Sequence, residues 1–242
     1  MTFRSLRSAV AFLTVLPVGL PGGEQAERLG RAYFPAVGAL VGLAAGCVFM
    51  VASKLTSPLP AALVAVATGA LLTGGLHLDG LADFADGMFG GHDPERRLEI
   101  MHDPRVGSFA VVALTLVLVG DVAALSVMTA ARALVGLIAA GALSRFSMLV
   151  LVALLPYARP HGLGSAAQGE HRVLDLVVGG ALTVIACALD WRRALVAALL
   201  VGLTTAIIGL VARRRLGGGT GDVYGACAEV GQLVALLGFA AL

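Results

Sequence analysis

Asp79, Asp83 and Asp86 carry the clearest chemistry in this chain. Residues 73–87 read Thr-Gly-Gly-Leu-His-Leu-Asp-Gly-Leu-Ala-Asp-Phe-Ala-Asp-Gly. The three carboxylates follow i, i+4, i+7 spacing, so on a helix they share one stripe. No Lys or Arg lies within the run to relieve their mutual repulsion. A divalent cation between the oxygens would relieve it. Hard ions such as Mg²⁺ take carboxylate oxygens and bridge protein to substrate phosphates. The spacing therefore predicts Asp79, Asp83 and Asp86 as metal ligands.

Other groups extend the pattern. Past a glycine connection at Met88–Gly91, Glu99 and Asp103 repeat the i, i+4 interval, so a second acidic pair is expected to face the first, with Glu99 as a further metal ligand. His77 and His102 flank the two groups and suit phosphate orientation, proton transfer or simple hydrogen bonding to a carboxylate. Arg145 sits inside an apolar run, Ala-Leu-Ser-Arg-Phe-Ser. A buried guanidinium needs an anion, either a protein carboxylate such as Asp121 or a ligand phosphate. Two helix-breaking segments follow, Pro156–Ser165 with Arg159 and His161, and Gly217–Gly225 with Gly221 and Asp222. Glycine lets a backbone approach a ligand, and amides opening a helix attract phosphate. Neither segment has the spacing of a soluble nucleotide-binding loop.

The elements that must position these groups are apolar. Of 242 residues, 58% are hydrophobic and 13% charged, and the mean hydropathy is +0.92; soluble domains carry about a quarter charged residues. A membrane-crossing helix needs about 20 apolar residues, and such runs recur at 33–53, 60–78, 108–130, 133–155, 173–190, 194–212 and 223–242. The expectation is one all-α domain over residues 1–242, a polytopic transmembrane bundle of about seven spans. Residues 1–19, apolar but broken by Pro17 and Gly19, suit an interfacial or re-entrant helix better than a cleaved signal peptide. Gly38, Gly42 and Gly46 form two overlapping Gly-x-x-x-Gly steps, which let helix backbones pack closely.

Seven spans sort the basic residues unevenly. Arg4, Arg7, Arg28, Arg31, Arg96, Arg97, Arg105, Arg159, Arg172 and Arg213–Arg215 fall on one side; Lys54, Arg132, Arg192 and Arg193 fall on the other. The positive-inside rule turns the first set, and with it the acidic stretch and both loops, to the cytoplasm of a cell inner membrane. The formal charge of +2 and 5% aromatic content leave no basis for nucleic-acid binding. Cys47, Cys187 and Cys227 have neither disulfide nor zinc spacing and read as buried thiols. The lipid bilayer is the expected partner, and a homo-oligomer stays open.

The chain resembles the adenosylcobinamide-GDP ribazoletransferase (cobalamin synthase) family from end to end. The resemblance rests on Phe12–Val18, Tyr33–Gly38, Gly74–Gly87, Ile100–Gly107, Leu143–Arg145, Tyr157–Arg159 and Gly219–Ala226. It implies a transferase of cobalamin biosynthesis that joins α-ribazole, or its 5′-phosphate, to adenosylcobinamide-GDP with release of GMP, using Mg²⁺. On that implication Asp79, Asp83, Asp86 and Glu99 hold the metal, and Asp103 is the candidate base for the ribazole 5′-hydroxyl. Asp86 and His77 join it as catalytic candidates. Arg105, Arg145 and Arg159 are phosphate clamps, with Gly221 and Asp222 binding substrate or metal. Asp83-x-x-Asp86-Gly87 also resembles the opening of the CDP-alcohol phosphotransferase motif, but the Ala-Arg pair after Gly87 is missing, and the closing Asp-x-x-x-Asp is at best Glu99-x-x-x-Asp103. An ion-coupled transporter is the alternative from another class; clustering of the acids near one surface rather than the midplane counts against it.

Overall fold

The computed structural model describes residues 3–19, 30–158 and 172–241. Among them lie ten α-helices and no strand: α1 (Phe3–Leu13), α2 (Phe34–Leu55), α3 (Pro58–Leu72), α4 (Leu76–Gly90), α5 (Pro94–Ile100), α6 (Ser108–Ser126), α7 (Ala130–Leu154), α8 (Arg172–Cys187), α9 (Trp191–Leu216) and α10 (Gly221–Ala240). The expected membrane bundle is present. In lipid every backbone amide must be satisfied within its own segment, so long apolar runs become helices. Local signals set their starts. Pro35 and Pro58 open α2 and α3, and the Thr129, Asp190 and Thr220 side chains cap α7, α9 and α10.

Four separate helical stretches, α2, α6, α7 and α10, are each long and apolar enough to cross a membrane. The fifth, Arg172–Leu216, comprises α8, a short 3₁₀ turn at Ala188–Asp190, and α9. It doubles back. Gly179 of α8 packs near Leu149, and Gly209 of α9 packs near Leu151, its neighbour on α7. A straight helix would hold Gly179 and Gly209 about 45 Å apart. The break sits at Asp190, whose backbone leaves helical geometry (φ −145°, ψ 73°) while its carboxylate takes the Arg193 amide and guanidinium. The pair α3 and α4, bent by 90°, forms a broken span or a re-entrant loop. The expected span 60–78 therefore stops at Leu72, and the chain turns through Gly74 and Gly75, both in the left-handed region (φ 60° and 71°) that suits glycine. The chemistry-bearing helix α4 is this bent limb.

The glycine stripe of α2 meets α7 in an antiparallel crossing. A Cβ on Gly38 would strike the Gly141 carbonyl, one on Gly42 the Leu137 carbonyl, and one on Gly46 the Leu134 side chain. Two large apolar clusters fill most of the bundle, with a smaller one around Leu81, Val117 and Ala226. One half is rich in alanine around Phe49, Leu137, Leu236 and Phe239; the other holds Leu13, Phe34, Met101, Met148, Val152 and Tyr224. Leu116, Val119, Leu199, Leu203 and Ile207 stay exposed on helix exteriors, as lipid-facing residues do.

The helix order carries α1, the α3–α4 bend, α5 and the start of α6 to one end. The ends of α7 and α9 and the starts of α8 and α10 lie there too. Contacts tie this end together. Val15 donates its amide to Leu72 O (2.9 Å), Arg31 pairs with Asp175 (2.7 Å), and Tyr157 bridges to Gly219. Helix α1, with 11 residues, spans about 16 Å, far short of the ~30 Å hydrocarbon core. Phe12 stacks on Phe34 at 5.8 Å and holds α1 against the bundle as a lateral element.

Candidate active site

Two glycines build the site. Where α4 crosses α10, a Cβ on Gly80 would lie 3.2 Å from the Gly225 Cα, and one on Gly225 3.1 Å from the Gly80 Cα. That close approach brings Asp79 and Asp83 of α4 to the same cavity as Gly221 and Asp222 at the start of α10. The cavity holds about 220 Å³, and His77, His102 and Tyr224 also line it. Asp79 stands at its junction with a second space of about 640 Å³, bounded by α1, the α3–α4 bend and α6. Thr220 caps α10 and donates its hydroxyl to Asp222 (3.1 Å), orienting that carboxylate.

The other expected ligands lie elsewhere. Asp86 shares the stripe with Asp79 and Asp83, but it is buried and accepts the amides of Gly107 (2.6 Å) and Ala110 (2.9 Å) at the start of α6. A carboxylate at a helix N-terminus satisfies orphan amides and complements the dipole. Both oxygens are engaged, and a Cβ on Gly107 would lie 2.6 Å from one of them. Asp86→Ala is expected to destabilise the protein by about 2 kcal/mol, with Asp86→Asn intermediate, read by thermal unfolding in detergent.

Glu99 and Asp103 do not face the first acidic group. Glu99 is exposed and pairs with Arg96 (2.7 Å). The i, i+4 relation to Asp103 is not realised, because α5 ends at Ile100 and Asp103 precedes Pro104, which disfavours helical backbone at Asp103. Asp103 is instead bound by its neighbour: Arg105 donates through its amide (3.0 Å), Nε (2.9 Å) and Nη2 (2.5 Å). The Arg105 hydrogen bonds hold the Asp103 carboxyl down at about 2, and the same pairing raises the Arg105 pKa. A depressed carboxyl pKa favours the charged, folded-state pair above the ordinary range near 3.8, and the gain disappears as pH falls toward 2. Asp103 thus stays ionised and a poor proton acceptor throughout the neutral range. Asp103→Asn is expected to preserve the shape of the pH–rate profile between pH 5 and 8; a limb lost with that variant would reinstate Asp103 as the base.

Arg145 is buried too deep to reach the cavity. Its guanidinium donates to Ser144 Oγ (2.8 Å) and Gln232 Oε1 (3.1 Å), and Gln232 donates in turn to Asp121 (3.1 Å). Glu229 lines the same small polar interior. The expected link between Arg145 and Asp121 therefore runs through Gln232. Glu229 and Gln232 were legible as polar residues within an apolar run, yet nothing in their spacing tied them to Arg145. Tyr224 on the cavity wall likewise carried no sequence signal. Arg159 and His161 lie outside the described residues.

The residues fit Mg²⁺ in one limited way. Among the described residues no three acidic, histidine or cysteine side chains form a ready-made ligand set. Mg²⁺ does not require one, since it binds through one or two carboxylates and completes its shell with water and substrate phosphates. Asp79 and Asp83 on one wall with Asp222 on the other supply hard oxygens for that mode.

Comparison with known proteins identifies the family. The cobalamin-5-phosphate synthase family model matches residues 5–240. A protein from Bradyrhizobium diazoefficiens named adenosylcobinamide-GDP ribazoletransferase is 40% identical over 239 residues, covering 96% of this chain and 91% of its own. Proteins of the same name from Stutzerimonas stutzeri (40%, 96% of each chain) and Chlorobaculum tepidum (41%, 93% and 90%) are similar. No solved structure matches. A helical membrane bundle whose acidic cavity sits within a match of this extent belongs to the cobalamin-5-phosphate synthase family, and the chain is a transferase of cobalamin synthesis.

Proposed function

We propose that this protein is an Mg²⁺-dependent adenosylcobinamide-GDP ribazoletransferase whose reaction occurs in the cavity between α4 and α10. The observation that carries the reading is the convergence of Asp79, Asp83 and Asp222 on one cavity beside the α10 N-terminus. In the reaction, a ribose hydroxyl of α-ribazole that stays free in its 5′-phosphate form attacks the phosphorus borne by cobinamide. A phosphorus–oxygen bond forms, the bond to the bridging oxygen breaks, GMP leaves with that oxygen, and the acceptor proton is released. Such transfers depend on positioning and charge neutralisation more than on covalent catalysis.

Asp79 and Asp83 would hold Mg²⁺ against the pyrophosphate, with water and substrate oxygens filling the rest of its shell, while Asp222 lines the same cavity. The metal supplies neutralisation of charge on the transferring and leaving oxygens. The amides of Gly221 and Asp222, at the positive end of a 20-residue helix, draw a phosphate oxygen toward them. The α4–α10 crossing keeps the two walls at fixed separation. The corrin, large and polar, remains outside at the membrane surface. The end bearing the cavity also bears Arg4, Arg7, Arg31, Arg96, Arg97, Arg105, Arg172 and Arg213–Arg215, which supports a cytoplasmic orientation in the inner membrane.

Purified protein given adenosylcobinamide-GDP and either acceptor is expected to release GMP with added Mg²⁺ and to stop with EDTA. Turnover in EDTA would remove the metal from the proposal. CMP release from a CDP-alcohol, with no GMP from the corrinoid, would replace it with phospholipid synthesis.

A further inference from the structure

We infer that His77 donates a hydrogen bond through Nε2 to a phosphate oxygen in the cavity, and that Arg145 is the positioning residue that fixes this tautomer. The inference rests on the proposed location of phosphoryl transfer and assigns roles within it. His77 belongs to the cavity wall, yet its ring is almost fully buried, at 1% exposure. One ring nitrogen, Nδ1, lies 3.5 Å from Nη2 of Arg145. A guanidinium can only donate, so Nδ1 must present its lone pair and the ring proton must sit on Nε2.

Nε2 is the atom left over. It is buried and makes no hydrogen bond among the described residues. Buried polar atoms are overwhelmingly satisfied, and an orphan donor costs about 1–3 kcal/mol. A phosphate oxygen entering the cavity would satisfy it. The donor is held by a chain of bonds reaching away from the site: Arg145 to Ser144 and Gln232, then Gln232 to Asp121. Glu229 lines the same interior as Arg145, Gln232 and Asp121. Arg145 therefore does not clamp substrate; it orients the histidine that does.

The test exploits geometry that other residues can copy. A glutamine amide nitrogen superposes on Nε2, an asparagine nitrogen on Nδ1. His77→Ala is expected to lower kcat by about 10²–10³-fold. His77→Gln should recover activity to within about tenfold of the parent, and His77→Asn should not. Gln232→Leu should lower kcat with KM little changed. A thermal-unfolding midpoint for Gln232→Leu near that of the parent in detergent guards against simple misfolding. In ¹⁵N-histidine-labelled protein the His77 signals, identified by their loss in His77→Gln, should report a bare Nδ1 and a protonated Nε2. Asparagine rescuing as well as glutamine, or a proton found on Nδ1, overturns the inference. Asp83→Asn, assayed alongside, separates the two failures. If it is fully active, the location of transfer is wrong; if it is dead while His77→Asn equals His77→Gln, only the histidine assignment falls.

Discussion

Asp83→Asn is expected to lower GMP release by about 10²–10³-fold, the usual scale for removing one preorganised charge from a polar transition state, while leaving the protein folded in detergent. Asp83 is half-buried on the cavity wall and one helical turn from Asp79. The amide occupies the same volume but supplies no negative charge, so the loss falls on phosphate chemistry and not on packing. Asp79→Asn should behave similarly, and the double variant should cost little more than either alone, because residues that act as one unit are not additive. Glu99→Gln provides the contrast. Its spacing placed it among the metal ligands, but its exposed carboxylate pairs with Arg96 outside the cavity, and that variant should turn over near the parental rate. Equal and undiminished turnover in Asp79→Asn and Asp83→Asn would remove the site as described. Loss in Glu99→Gln matching that in Asp83→Asn would show that α5 closes onto α4 during catalysis.

The largest expected effect on folding comes from the α2–α7 crossing. Gly38→Val should destabilise the protein by about 3 kcal/mol or more, at the upper end of overpacking costs, and Gly38→Ala should already be harmful. The first added carbon on Gly38 meets the Gly141 carbonyl, and one on Gly141 meets the Gly38 carbonyl. Backbone cannot rotate aside as a side chain can, so the two helices must separate. Without water to drive association, membrane helices rely on such close packing. Separation would also disturb the cavity, because α2 carries Phe34 and α7 carries Met148 and Val152 on its wall. Gly202→Ala on α9 is the control: an added Cβ there meets nothing within 4 Å, and alanine favours helix by about 1 kcal/mol. Thermal unfolding in one detergent compares the variants, and indistinguishable midpoints for Gly38→Val and Gly202→Ala would refute the crossing as a source of stability.

Both outcomes were partly legible before any coordinates. Apolar length located most of the helices, because a run long enough to cross a bilayer satisfies its backbone within its own segment as a helix. The glycines of α2 announced a close crossing, though their partner could not be named: Gly141 lies about a hundred residues away and belongs to no matching motif. The bend of α4 away from α3 depends on the left-handed backbone at Gly74 and Gly75, and the apolar run reads straight through it. The return of α9 along α7 depends on a single capping aspartate, Asp190, between two apolar stretches.

At the site, local spacing determined that Asp79, Asp83 and Asp86 share a stripe of one helix, since the angle between them follows from helical geometry alone. It could not determine what each oxygen meets. Tertiary structure sends Asp86 to the amides opening α6, and leaves Asp79 and Asp83 to face Asp222 across a crossing that only two glycines permit. The same division separates Arg145, whose burial its apolar neighbours foretold, from its partners His77 and Gln232, which come from other helices. Residue type and interval set the available chemistry because they act over a few ångströms of chain. Partnership was decided by contacts between helices, where the packing of distant segments chooses which charges line one cavity.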